Sequence, residues 1–216
     1  MEPIRDPKAL ARRVLHDSGP DTNPHSAFWL HALATHFDSD FYGSPITGHS
    51  SQVLLQWTPA HLYLLFICPY EELHLKPNPR LDAETYELWN WGVAEVFIGS
   101  DFENIRRYRE FEVSPQGEWV DLDVNLDDPP HERGWVWESH CKTAAYIDEA
   151  AKIWYGFMRI PWSAIAERPP FVGMELRINF FRCQGADPER KYIAWQAPGR
   201  PSFHTPEVFG TLRLVE

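Results

Sequence analysis

Two tryptophans and a carboxylate lie close together in the segment Tyr86 to Glu95, which reads YELWNWGVAE. An aromatic ring offers a flat apolar face on which the C–H face of a pyranose ring packs, and a carboxylate accepts hydrogen bonds from sugar hydroxyls. The segment runs on into the apolar residues VFI, which predict a buried strand. Trp89, Trp91 and Glu95 therefore favour carbohydrate binding. The alternative is that both tryptophans pack in the core of a tryptophan-rich domain.

The composition favours one soluble domain with no affinity for nucleic acid. The chain has 216 residues and a formal net charge of −11. This length suits one sizeable core, and a field of this sign repels a phosphate backbone. No apolar run is long enough to cross a bilayer, so no membrane partner is expected. The sequence leaves the oligomeric state open.

The first residues and the cysteines indicate the cellular compartment. The start, MEPIRDP, lacks the basic, apolar and small-residue regions of a secretory signal. We therefore expect a cytoplasmic protein, or a secreted one if the sequence is that of a processed chain. Cys68, Cys141 and Cys183 stand singly in apolar runs without C-x-x-C spacing. This pattern predicts buried free thiols rather than a disulfide framework or a zinc site, and it leaves a single disulfide pair open.

Alternating apolar and polar residues, with a period close to two, predict an all-β protein with long loops and short helical turns. Residues 52–57 and 61–68, separated by Thr58-Pro59-Ala60, predict a hairpin. Residues 152–160 and 175–182 alternate most clearly between large apolar and polar side chains. Further strands are predicted at residues 92–99, 107–113, 118–124 and 209–215, and helical segments only at residues 7–16 and 161–167.

Several motifs occur along the chain in an order typical of one protein family. They are Trp89-x5-Glu95-Val96-Phe97-Ile98, then Tyr108-x2-Phe111-Glu112-Val113, then Ile160-Pro161-Trp162, and finally Trp195-x2-Pro198-x3-Ser202-Phe203-His204-x-Pro206-x2-Phe209-Gly210. Together they resemble the family 9 carbohydrate-binding modules, and more closely the stand-alone carbohydrate-binding family 9-like proteins. The resemblance begins at about Phe28 and continues to the C-terminus.

The resemblance implies a fold and a function. The fold is a single antiparallel β-sandwich of the kind shared with DOMON domains, immunoglobulin-like or jelly-roll-like in architecture. Residues 28–216 would form this domain, and residues 1–27 an N-terminal extension packed on it. The function is the non-catalytic binding of sugar-chain ends or small saccharides.

The resemblance also implies roles for individual residues. A tryptophan that stacks on the sugar falls on Trp89, and the acceptor of sugar hydroxyls falls on Glu95. The second aromatic wall falls on Phe203, where the better studied modules have tryptophan. A family arginine falls on Glu112 and a family asparagine on Arg200, so the hydrogen bonds to the ligand are expected to differ from the family pattern.

The same site follows from the placement of the residues. If Glu95 lies on a strand, Trp89 lies in the loop that enters it, and the loop Pro201 to His204 leads into the last strand. Aromatic walls from two loops would form a slot about one sugar ring wide, with Glu95, Arg200 and His204 near its edges. We expect an affinity on the order of micromolar to millimolar, because protein hydrogen bonds replace those to water.

Two other functions stay open from the sequence. Glycoside hydrolysis needs two carboxylates about 5 to 9 Å apart, which Glu95 and Glu112 would approach on neighbouring strands. Haem binding, known from some DOMON relatives, would need an axial histidine or methionine pair. Apart from Met1, the methionines Met158 and Met174 lie in or beside strand-like runs, where core packing explains them.

Structural calcium also stays open from the sequence. The stretch Asp121 to Asp128 has oxygen ligands at alternating positions but lacks the glycine and the terminal glutamate of an EF-hand loop. We therefore expect a solvated strand edge there. Because the resembling family often contains structural calcium, an ion stays open without assigned ligands.

Overall fold

Twelve strands make up the part of the chain that the computed structural model describes, residues 8–128, 135 and 137–216. They are β1 (Lys8–Arg13), β2 (Leu33–Phe37), β3 (Ser51–Trp57), β4 (His61–Pro69), β5 (Val93–Gly99), β6 (Arg107–Val113), β7 (Trp119–Asn125), β8 (Lys142–Asp148), β9 (Ile153–Pro161), β10 (Glu175–Gln184), β11 (Lys191–Ala194) and β12 (Gly210–Val215). Single 3-10 turns lie at Leu88–Asn90, Trp162–Ala164 and Pro206–Val208. Within these described ranges, no helix has the length and apolar character needed to cross a bilayer.

The strands form a sandwich of two layers. One hydrogen-bonded ladder runs in the order β7-β6-β5-β10-β12-β1-β3-β4-β9-β8, with β11 on β10 and β2 on β3. The ladder folds over, so that apolar residues of β5, β6 and β10 share one core with those of β3, β4 and β9. The layers approach closely at Gly156 of β9, where a Cβ would come 2.8 Å from Cγ1 of Val113 on β6. A larger residue there would push the layers apart.

The first strand of the described chain pairs with the last one. β1 pairs in parallel with β12, with Ala9 opposite Leu212, and also with β3, with Arg12 opposite Gln56. The prediction of a helical segment at residues 7–16 is wrong, because Ala9 and Ala11 alternate with outward residues and are buried in the core. Residues 8–13 of the predicted extension are thus a strand of the sandwich, and residues 1–7 lie outside the described part.

Most of the other predicted elements are confirmed. The hairpin of β3 and β4, the strands β5, β6, β7, β9, β10 and β12, and the turn after Pro161 lie where the alternation predicts them. Cys68, Cys141 and Cys183 are buried free thiols, as expected. The strands β2, β8 and β11 were not predicted, because they are short or carry few large apolar residues.

A second apolar cluster covers the outer face of the layer formed by β5, β6, β7 and β10. It contains Val93 and Phe97 of β5, Tyr108 of β6, Leu122 of β7 and Phe181 of β10. Leu88 belongs to the same cluster, and Trp89, Phe203 and Phe209 from the loops pack against it. Every residue of β5 is buried as a result. The functional side chains described below lie on this outer face.

Candidate functional site

A cavity of about 470 Å³ opens on the outer face of this layer. Its floor is formed by Glu95 and Phe97 of β5, Glu110 of β6, Leu122 of β7 and Cys183 of β10. Its walls come from four loop or edge segments: Phe41, Trp89 and Asn90, Asp187 to Tyr192, and Pro201 to His204. This volume lies in the range of about 300–1,000 Å³ in which proteins bind small molecules.

Aromatic rings form much of the wall. The ring of Phe203 stacks on that of Phe181, with centroids 4.2 Å apart and planes at 20°. Phe41 lies against both Phe203, at 5.4 Å, and Tyr192, at 5.0 Å. Trp89 comes from a separate loop and packs edge-on against Tyr86. The cavity therefore has aromatic side chains from separate loops on its walls.

The guanidinium of Arg190 holds the backbone that carries Trp89. It donates hydrogen bonds to the carbonyl oxygens of Asn90 at 2.6 Å and Trp91 at 3.1 Å, and also to that of Trp89. The turn starts after Glu87, whose φ of 61° is unusual for a residue with a side chain. Three bonds from one planar group limit the freedom of this turn, so the indole is held at the cavity before a ligand arrives.

Three glutamates meet at the floor of the cavity, and two of them, Glu95 and Glu110, line it. Glu95 of β5 lies directly opposite Glu112 of β6 in the ladder, and Glu110 lies two residues earlier on the same face. One oxygen of each carboxyl group lies within 4.8 Å of the others, and the residues are 2%, 0% and 3% exposed in that order. Such burial disfavours the charged forms.

Burial raises the pKa of two of these carboxyl groups, those of Glu95 and Glu112. It raises the pKa of Glu95 to about 7, although the thiol of Cys183, 3.4 Å from Oε1, and the nearby Arg190 both favour the charged form. The pKa of Glu112 is raised well above its usual range, first by burial and then by the adjacent charges of Glu95 and Glu110. Both shifts favour the protonated, neutral form of the carboxyl group.

The imidazole of His204 closes one side of the cavity. Its Nδ1 shares a hydrogen bond of 2.7 Å with the hydroxyl of Tyr108, and its ring stacks on Phe97 with centroids 5.2 Å apart. Nε2 lies 3.9 Å from a carboxylate oxygen of Glu110. Burial, together with the charge of Arg200, lowers the pKa of His204 to about 4. The ring is thus neutral at physiological pH.

Of the residues predicted from the sequence, four line this cavity: Trp89, Glu95, Phe203 and His204. Glu112 lies beneath the floor, fully buried. The structure thus brings together residues that are more than 100 positions apart in the chain.

Besides Glu112, two predicted residues do not line the cavity. The ring of Trp91 packs against His74, with centroids 4.6 Å apart. The guanidinium of Arg200 donates to Oγ1 of Thr205 at 2.8 Å and to the carbonyl of His204 at 2.9 Å. Arg200 therefore braces the loop that carries Phe203 and His204.

Four further residues that line the cavity were not predicted from the sequence: Phe41, Glu110, Arg190 and Tyr192. Glu110 had a usable signal, because Tyr108, Glu110 and Glu112 alternate on β6 and so must share a face. The other three lie in loops or on the short strand β11, and no local pattern marks them.

The structure also bears on the haem alternative. His204 is the one histidine among the described residues that line the cavity, and no methionine lines it. Met158 and Met174 pack in the core between the layers. The cavity walls described here therefore supply no axial pair for haem iron.

The acidic stretch that begins at Asp121 uses its carboxylates within the protein. Asp121 accepts a hydrogen bond of 2.7 Å from Oγ of Ser139, and Asp123 pairs with Arg109. The expectation of a solvated strand edge is wrong for Asp121, which is 1% exposed because loop residues cover β7 on that side.

The raised pKa of Glu95 predicts a pH-dependent stability. A carboxyl group whose folded pKa exceeds its unfolded value stabilises the fold below the unfolded pKa, and this contribution is lost as the pH rises through the folded pKa, here about 7. We expect the wild-type melting temperature to fall by ~5–10 °C between pH 5 and pH 8. Glu95→Gln should reduce that fall, since an amide does not ionise. Thermal melts of both proteins across this range measure the effect, and equal falls would contradict the assignment.

No protein-family model and no curated protein matches the sequence. Solved structures do match. A family 9 carbohydrate-binding module from Caldicellulosiruptor kristjanssonii in complex with cellotriose has a TM-score of 0.69 and 13% identity, over 97% of this chain and 94% of that one. The module from that organism in complex with glucose has a TM-score of 0.66 and 13% identity, over 96% and 95%.

A third structure shares the same fold. A protein from Bacteroides uniformis, provisionally described as carbohydrate-binding, has a TM-score of 0.75 and 15% identity, over 97% of this chain and all of that one. The chain therefore has the β-sandwich fold of the family 9 carbohydrate-binding modules.

Proposed function

We propose that the protein binds carbohydrate without chemical turnover, and that a sugar-chain end or small saccharide occupies the cavity on the outer face. The observation that carries this proposal is the combination of aromatic walls and carboxyl groups in one cavity. Trp89 and Phe203 lie on separate loops, while Glu95 lies on the floor as part of strand β5. Apolar ring faces and directed polar groups are what a pyranose requires.

In the proposed complex, the sugar ring packs between the indole of Trp89 and the phenyl ring of Phe203. Stacking on Phe181 supports Phe203 from behind. Glu95 accepts hydrogen bonds from hydroxyl groups, and the neutral imidazole of His204 is available at the opposite side. The saccharides in the two similar modules, cellotriose and glucose, give the first ligands to test.

Hydrolysis is the second candidate, favoured by one observation. Glu95 and Glu110 both line the cavity, with carboxyl oxygens within 4.8 Å. Retaining glycosidases place two such groups about 5–5.5 Å apart. Binding without turnover is preferred because burial of these glutamates explains the raised pKa of Glu95 without any catalytic role.

Calorimetric titration with glucose and with cello-, xylo- and manno-oligosaccharides tests the proposal. We expect a dissociation constant between about 1 µM and 1 mM for at least one of them. The same oligosaccharides, incubated with the protein and separated by chromatography, should remain intact. Release of shorter sugars would favour hydrolysis, and no heat of binding with any saccharide would refute the proposed function.

A further inference from the structure

The floor and walls of the cavity carry more acidic than basic groups. Glu95, Glu110 and Asp187 line it, and Arg190 is the one basic side chain in its described lining besides His204. His204 is neutral, as shown above. The hydrogen bonds of Arg190 to the loop backbone direct its guanidinium at carbonyl oxygens. A ligand in this cavity therefore meets an excess of carboxyl groups.

Glu112 adds a buried acid to this excess. It is 0% exposed, and within the described ranges no donor reaches either of its oxygens with hydrogen-bond geometry. Its close polar neighbours are the carboxyl groups of Glu95 and Glu110, with which it can only share a proton. Ionisation of any of the three carboxyl groups in this buried cluster is costly unless a positive charge comes near it. This points to a cationic group in the ligand.

Resting on the proposed function, we infer that the cavity selects saccharides with a free amino group, whose ammonium binds to Glu95 and Glu110 above Glu112. An ammonium group is similar in size to a hydroxyl group and has three donors. Its hydrogen bonds to carboxylates are about twice as strong as those between neutral groups. The aromatic walls provide the stacking surface that makes an amino sugar a better fit than a simple amine.

A metal ion fits the floor less well. Calcium takes 6–8 oxygen ligands at about 2.3–2.6 Å. Phe97, Leu122 and the thiol of Cys183 share the floor with the carboxyl groups, and none of them supplies an oxygen ligand. An ammonium group needs only two or three acceptors, which the glutamates can provide.

Competition between three matched ligands tests the inference. Glucose, glucosamine and N-acetylglucosamine differ at one position, which carries a hydroxyl, an ammonium and a neutral amide. Calorimetry at pH 7 should show glucosamine binding at least tenfold more tightly than the other two. In Glu95→Gln that ratio should fall below threefold, and a melting curve would establish that the variant is folded.

The pH dependence of this ratio provides a second readout. The groups that face Glu95 are Glu110 and Glu112 from β6, Cys183 from β10, and Arg190 and His204 from the loops. Because proton loss from Glu95 is centred near pH 7, the glucosamine-to-glucose ratio should increase from pH 5.5 to pH 7.5. The pKa of His204, about 4, lies below this range, so its imidazole stays neutral throughout.

The outcomes separate the inference from the proposed function. If glucose and glucosamine bind equally, the inference is wrong and the proposed function stands. If no saccharide binds, both are wrong. Tighter glucose binding after addition of calcium or manganese to protein treated with chelator would assign the floor to a metal ion and overturn the inference.

Discussion

Replacement of Trp89 by alanine is expected to reduce saccharide affinity by more than tenfold, and to below detection for monosaccharides. The indole lines the cavity, and its turn is held in place by Arg190. A tenfold loss corresponds to about 1.4 kcal/mol, and loss of a stacking face together with its buried area exceeds that. Calorimetric titration of the variant with cellotriose measures the change.

An exposed ring on the other layer provides the matched control. Tyr146 of β8 is 55% exposed and far from the cavity lining, so Tyr146→Ala should leave the affinity within twofold. Trp89 is partly buried, and we expect its replacement to lower the melting temperature by only a few degrees. If Trp89→Ala retained full affinity, or unfolded the protein, the indole would have a structural role and the proposed binding mode would be wrong.

The largest loss of stability is expected from Arg182→Ala. Arg182 lies on β10, is 0% exposed, and packs within 6.0 Å of the Trp154 ring. Its guanidinium donates to Oγ of Ser51 at 3.0 Å and to the carbonyl of Pro69 at 2.6 Å, and also to the amide oxygen of Gln184. Truncation leaves a cavity and three acceptors without their donor, which costs about 3–5 kcal/mol.

That loss corresponds to a fall of about 10 °C in melting temperature. Arg213→Ala is the control, because Arg213 has a half-exposed side chain on β12 and should change stability by less than about 0.5 kcal/mol. Denaturant unfolding of both variants at one pH gives the comparison. A loss below 1 kcal/mol for Arg182→Ala would mean that water or neighbouring groups replace the guanidinium.

Strands of this fold can be predicted from the sequence where large apolar and polar side chains alternate and the apolar ones are buried. β9 and β10 have unlike faces, so their sequences alone predict strands. The prediction for β1 was wrong because its buried residues are alanines, which have high helix propensity and small apolar area. Only the pairing with β12 and β3, which depends on residues over 40 positions away, makes this segment extended.

The candidate site likewise contains residues that the sequence predicts and residues that it does not. Trp89 and Glu95 stand out because their residue types are informative within one short segment. Arg190 has no such signal, since its contact with the Trp89 turn spans about 100 positions of chain. Trp91 has the right residue type but packs against His74. It lies two positions after Trp89, and side chains around a turn point in different directions.

The pairing of β1 with β12 sets a condition on folding during protein synthesis. The partner of β1 at residues 210–215 is translated about 200 residues later, which takes a ribosome roughly 10–40 s. Local hairpins such as β3 with β4 can form on the nascent chain, but the seam between the two layers cannot close until the last strand emerges. Until then the edges of β1 and β10 that β12 later covers can pair with other chains. The yield of native protein should therefore depend on how well these edges are shielded on the ribosome.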